Sequence, residues 1–277
     1  MRRELLRVFA LETALALVLA LPVVGGFSHR AGASRPRSST SAAVGGLSGW
    51  LPPERHPIAS SRSAAASVTL PGGERPQPAL LVHARRGMIV RRHPDADARA
   101  LGVMPASSKY YHVPLVVWIE EVSDNGRWGR IEIPYRWPRR TGWILLAGLR
   151  RETTWIAVEA DLSDHRITIE RRGHRVFSMR AATGAPATPT PAGDYFVTDR
   201  VPFTAGSSYG SFAFGISGIQ PHLPVGWTGG NQLALHGTNA PGSIGRSVSA
   251  GCLRVNGTAL HRLLPLLRLG TPFVIHP

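Results

Sequence analysis

From residue 79 onward the sequence is a succession of short β-branched and aromatic runs, broken by turn signals, with one stretch of helical period among them. That pattern restricts the chain to a mainly β architecture. Leu80-Leu81-Val82, Met88-Ile89-Val90 and Val113–Ile119 are strand-length runs. Asn125-Gly126 stands between Glu121-Val122-Ser123 and Trp128–Ile133 and predicts a hairpin. A second turn, Pro138 to Gly142, leads into Trp143-Ile144-Leu145-Leu146. Residues 79–151 are therefore expected to form a small all-β, SH3-like domain. Trp128, Trp137 and Trp143 either line a ligand groove there or pack its core.

Residues 152–277 continue in the same manner. Strands are expected over 155–160, 166–171, 176–179, 195–198, 232–235 and 272–276, with Gly173 and the rigid Thr188–Gly193 segment as turns. The helical stretch runs from Asn256 to Leu267, capped by Asn256 or Thr258, with Leu260, Leu263, Leu264 and Leu267 on one face. Pro265 kinks it or ends it early.

The N-terminal third reads differently. Met1-Arg2-Arg3 through Arg7 is basic, residues 13–24 are uncharged and apolar, and Ala31-Gly32-Ala33 is an A-x-A cleavage site. The apolar run as a helix spans roughly 18 Å, short of the ~30 Å bilayer core. Residues 1–33 thus predict a secretory signal peptide, with an uncleaved membrane anchor as the alternative. Residues 34–78, rich in Ser, Ala, Pro and Arg, read as a flexible linker. The net charge of +15 divides as +2 over residues 1–33, +10 over 34–151 and +3 over 152–277. The basic middle zone suits an anionic wall polymer or membrane surface. No helix-turn-helix, zinc finger or aromatic RNA-binding motif accompanies it, so no nucleic acid is expected.

Cys252 is the only cysteine. It excludes an internal disulfide, a Cys-rich metal site and a Cys-x-x-Cys redox pair. Sixteen residues upstream stands His236, in Leu235-His236-Gly237-Thr238. A thiol nucleophile needs a nearby base, and imidazole suits that task near neutral pH. Arg254 supplies positive charge, and the N–H of Gly251 is a candidate oxyanion donor. From spacing alone, a buried structural thiol remains the alternative. The other histidines lie in no metal-ligand spacing; no metal or cofactor is expected.

His236-Gly237-Thr238, followed after a spacer by Ser249-Ala250-Gly251-Cys252-Leu253-Arg254, resembles the signature of the L,D-transpeptidase (YkuD) catalytic domain. Thr183-Gly184 with Thr188–Phe196, then Tyr209–Ala213 and Leu269–Ile275, resemble its other landmarks in the same order. Ala250 stands where many members carry His, and Arg136–Trp143 resembles a turn in the front domain of some members, without its Asn. The resemblance implies a β-sandwich-like catalytic domain over 152–277 with one short helix after the cysteine. It implies an exported cell-envelope enzyme, monomeric and carbapenem-sensitive, acting on peptidoglycan stem peptides. Cys252 would attack the carbonyl before the terminal D-Ala, form a thioester and pass the acyl group to a neighbouring stem as a 3→3 crosslink. His236 would serve as base, oriented by the backbone carbonyl of Gly237, with an oxyanion hole from the N–H groups of Cys252 and Gly251. Arg254 would hold a substrate carboxylate or brace the loop; Ser249 would fix the loop or touch substrate. An L,D-carboxypeptidase or crosslink hydrolase using the same pair, and a non-catalytic wall-binding protein, are the alternatives.

Overall fold

The computed structural model describes residues 76–204 and 206–277. The expected signal or anchor segment, and the expected linker as far as residue 75, lie outside the described residues. Among the described residues no helix is long and apolar enough to cross a membrane.

The front strands are β1 (Ala79–His83), β2 (Met88–Arg91), β3 (Ala100–Met104), β4 (Val116–Ile119), β5 (Glu121–Val122), β6 (Trp128–Glu132), β7 (Thr141–Leu145) and β8 (Arg151–Thr154). They form a three-stranded sheet in the order β4-β1-β8 and a five-stranded sheet in the order β3-β2-β7-β6-β5. The expected hairpin is present: Glu121 pairs with Arg130 and Val122 with Gly129, and Gly126 takes the positive φ its turn requires. Trp128 is buried, whereas Trp137 is exposed. Strand β8, which straddles the expected boundary between residues 151 and 152, pairs with β1.

The remaining strands are β9 (Ile156–Asp161), β10 (Arg166–Arg171), β11 (His174–Arg180), β12 (Thr183–Gly184), β13 (Gly193–Pro202), β14 (Phe212–Ile219), β15 (Gln232–His236), β16 (Ser247–Ser249), β17 (Leu253–Arg254) and β18 (Pro272–His276). Eight of them make one sheet in the order β11-β10-β9-β18-β13-β14-β15-β17, and β12 pairs with β16 separately. The architecture is mainly β, as expected. Helix α1 covers Gly257–Leu263, shorter than the expected 256–267 and two residues short of Pro265. The Asn256 side chain caps it by accepting from the Ala259 N–H at 2.7 Å.

The central strands are covered on both faces, and period-2 alternation shows how. Tyr195 and Val197 of β13, with Phe273 and Ile275 of β18, join one core together with Leu260, Leu263 and Leu267 from the helical side. Phe196 and Val274, between them, point the other way into a second core built by Leu81, Val117, Trp118, Ile131 and Ile144 of the front strands. The front sheets therefore pack directly on the wall of the large sheet. Polar ties add to this: Arg139 bonds the Glu120 carboxylate and the Asp194 carbonyl (2.8 Å), and Ser217 on β14 donates to buried Glu132. Burial raises the Glu132 carboxyl well above its ordinary range, opposed by the Ser217 hydrogen bond and the Arg139 charge.

Candidate active site

Strands β15 and β17 run parallel, with Leu235 opposite Leu253 and His236 opposite Arg254. Extending that register one residue back sets Cys252 beside Ala234. Side chains two apart on a strand share a face, so Ala234, His236, Cys252 and Arg254 all point the same way. All four line one cleft, of about 260 Å³. On strand geometry the Cα atoms of Cys252 and His236 lie about 8 Å apart, on neighbouring strands and two residues offset. The chain separation of sixteen residues is thus converted into proximity by a parallel pair.

Neighbouring strand β14 leaves room for the cleft. Ala213 pairs with His236 and Gly215 with Ala234, and both small residues lie in the lining. A Cβ on Gly215 would come within 2.5 Å of Gln232 Nε2 and 2.8 Å of Asp199 Oδ2.

His236 is only 4% exposed. Its Nδ1 lies 2.5 Å from the carbonyl oxygen of Gly237. A carbonyl accepts only, so Nδ1 carries the proton and Nε2 keeps the lone pair. Burial lowers the imidazole to about 4, opposed by the Gly237 carbonyl, helped by the Arg254 charge and opposed again by the Tyr209 backbone. The ring is therefore neutral at pH 7, the state a base must start from. The Tyr209 ring lies against it, with centroids 4.8 Å apart.

Cys252 is partly exposed, and its Sγ lies 3.9 Å from the Gln232 carbonyl oxygen. Burial raises its thiol, while the Ala234 backbone N–H and the Arg254 charge pull in the other direction. At neutral pH the cleft accordingly holds a neutral thiol and a neutral imidazole rather than a thiolate and an imidazolium. With one cysteine in the chain, this is directly measurable. Thiolate absorbance, taken as the difference from Cys252→Ala, is expected to stay flat between about pH 5 and 8 and to rise only above the ordinary thiol range. A step centred below pH 7 contradicts this reading.

The loop carrying Cys252 is clamped from two sides. Ser249 is 2% exposed and lies outside the cleft lining; its hydroxyl donates to the Cys252 carbonyl (2.6 Å) and accepts from the Gly251 N–H (3.0 Å). Both bonds lie within the loop that carries Cys252. The second of these contacts gives the Gly251 N–H a partner in the Ser249 hydroxyl. Gly251 itself has φ +117°, and a Cβ there would lie 2.2 Å from Gln220 Nε2. The Thr-Pro-Thr-Pro segment supplies the second clamp: Thr188 donates to the Ser249 carbonyl (2.9 Å) and Thr190 to the Gly251 carbonyl (2.8 Å). Gln220 holds that segment in turn, donating to the carbonyls of Thr188 (3.2 Å) and Pro189 (2.9 Å).

Arg254 is half-buried, and its Nε has no hydrogen-bond partner among the described residues. Arg254 also lines the cleft, and a guanidinium there suits a carboxylate or carbonyl. Gln220, Tyr209, Tyr110 and Tyr111, all in the lining, were not among the residues expected at the site. Gln220 and Tyr110 lie far from the motif in sequence and carry no local signal. Tyr209 falls in a recognised landmark, and that was the one pointer. Among the described residues no three His, Cys, Asp or Glu side chains converge as a metal site.

Residues 156–275 match the family model YkuD, the L,D-transpeptidase catalytic domain, so the resemblance carried by the motifs is borne out. The chain is 27% identical over 135 residues to the YkuD protein of Bacillus licheniformis, covering 48% of this chain and 74% of that one. It is 26% identical over 121 residues to YkuD of Bacillus subtilis, covering 44% and 65%. Among solved structures, an Enterococcus faecium L,D-transpeptidase is 21% identical with a TM-score of 0.34, the match covering 44% of this chain and about half, 49%, of that one.

Proposed function

Because residues 156–275 fall in the YkuD family of L,D-transpeptidase catalytic domains, we propose that the protein is a peptidoglycan L,D-transpeptidase of the cell envelope. The observation that carries this reading is the shared face of β15 and β17. It sets a lone thiol, a neutral tautomer-fixed imidazole and an unpartnered guanidinium N–H around one cleft.

In the proposed reaction, Cys252 Sγ attacks the carbonyl that precedes the terminal D-Ala of a donor stem peptide. Its proton passes to His236 Nε2 as the S–C bond forms. The Cys252 N–H is the oxyanion donor, since that of Gly251 is held by Ser249. The C–N bond then breaks, His236 returns its proton to the leaving amine, and D-Ala departs from a cysteinyl thioester. A side-chain amine of a second stem attacks the thioester carbonyl; the new amide is a 3→3 crosslink. The amine's proton returns to the sulfur through His236, and the cycle closes with no net redox change. Arg254 holds a substrate carboxylate beside the thiol. Residues 1–33 serve export or anchoring, residues 34–78 a tether, and residues 79–151 a small β domain.

Purified stem-peptide muropeptides test the reading. Cross-linked dimers with released D-Ala are the expected products. Trimmed monomers alone would assign the same pair to an L,D-carboxypeptidase, and no change at all would favour a wall-binding role.

A further inference from the structure

Two tyrosines from a connection between front strands line the cleft that holds Cys252, although they lie about 140 residues upstream of it. They come from the connection between β3 and β4. Its base is closed like a hairpin: Leu115 N–H donates to the Ala106 carbonyl (3.0 Å), Ser107 pairs with Pro114, and Ser108 N–H donates to the Val113 carbonyl (2.8 Å). The Val113 N–H donates in turn to the Ser108 hydroxyl at 3.3 Å. What projects is a four-residue tip, Lys109-Tyr110-Tyr111-His112, with His112 in the left-handed region at φ +54°. Lys109, the only lysine in the chain, lies over the Tyr110 ring at 5.0 Å from its centroid.

Tyr110 fastens this tip to the catalytic sheet. Its hydroxyl donates to Asn231 Oδ1 (2.8 Å) and accepts from the Asn231 N–H (3.3 Å). The next residue, Gln232, presents its carbonyl to Cys252 Sγ. Gly230 permits the close approach, since a Cβ there would meet the Tyr110 ring at 3.0 Å. Tyr111 is the freer of the two. It is 49% exposed, yet lines the cleft together with Tyr209, itself stacked on Phe203 at 4.9 Å. An open aromatic face beside a nucleophile is apolar surface left for a ligand to cover. Burial, and the neighbouring Asp199 and Tyr209, raise the Tyr111 phenol, so its O–H stays protonated and can donate to a peptide carbonyl or carboxylate.

We propose that the loop 108–113 of the front strands forms one wall of the substrate cleft, Tyr111 packing directly on the stem peptide and Tyr110 positioning the Asn231–Gln232 backbone beside the thiol. This rests on the stem-peptide reading of the site. It gives the front strands a part in substrate recognition, beyond tethering or wall attachment. A rigid ring on a closed loop contributes contact area at low entropic cost.

The test uses the full chain and a synthetic stem tetrapeptide ending in D-Ala. In the non-reactive Cys252→Ala background, calorimetry is expected to show binding at least about tenfold weaker with Tyr111→Ala. Tyr111→Phe, which keeps the ring, recovers most of that affinity. With Cys252 intact, the loss from Tyr111→Ala falls mainly on KM rather than kcat. Tyr110→Phe removes only the hydroxyl that holds Asn231, leaves the ring packing in place, and weakens binding about threefold. Affinities within twofold of the parent for both Tyr111→Ala and Tyr110→Phe overturn the proposal and leave the transpeptidase reading standing. No binding of the tetrapeptide to the Cys252→Ala parent itself overturns both.

Discussion

Cys252→Ala is expected to reduce peptide transfer by at least ~10⁴-fold and to abolish any covalent adduct with an acylating substrate or a carbapenem. The chain has no second thiol to substitute for it. The substitution removes one sulfur from a partly exposed position, and the Ser249, Thr188 and Thr190 clamps reach backbone atoms that alanine retains. Stability should therefore change by no more than about 1 kcal/mol. Activity, intact mass and thermal melting on the same preparation check all three parts. An adduct that persists in Cys252→Ala places the nucleophile elsewhere.

His236→Ala is expected to lower kcat by ~10²–10⁴-fold, the span attached to a general acid–base group. The fold should survive, because the imidazole is neutral where it sits and its removal leaves no buried charge behind. The lost ring opens a small cavity under Tyr209, a cost of about 1–3 kcal/mol. The pH profile separates catalysis from packing. With His236 as the base, wild-type activity should fall as pH drops through about 4, since burial has lowered the group from its usual range. The same limb should vanish in His236→Ala. A variant with near-normal turnover and an unchanged acid limb refutes the assignment of His236 as the base.

The strands that were legible in the sequence are those whose local pattern agrees with their burial. Residues 88–91 and 128–132, and the turn at Asn125-Gly126, needed no long-range information. Strand β14 was not anticipated, because Phe212–Ile219 is interrupted by Gly215 and Gly218, which read as breakers. In the structure those glycines mark close approach: a Cβ on Gly218 would come within 2.6 Å of the Tyr195 ring. The helix was placed correctly at its start, where Asn256 caps locally. It ends sooner than the leucine spacing suggested, as Pro265 allows.

At the candidate site, the Cys and His stood out because the residue types themselves signal chemistry. The parallel pairing that joins them is a long-range event, and so is the placement of Gln220 under the Cys252 loop. The Thr-Pro-Thr-Pro segment was visible as a rigid turn, but its task, holding the Ser249 and Gly251 carbonyls, appears only once β12 and β16 are paired. Tyr110 and Tyr111 are further removed, since nothing near residue 110 points to a cleft built 100 residues downstream.

Intact-mass measurement of the full chain with a stem tetrapeptide donor and no acceptor shows whether Cys252 carries the acyl group. The predicted result is a mass gain equal to the donor minus D-Ala, localised to Cys252 by peptide mapping and discharged when an acceptor amine is added, with a cross-linked dimer as product. An unmodified chain after prolonged incubation with a donor shown to bind, or an adduct mapped to any residue other than Cys252, contradicts it.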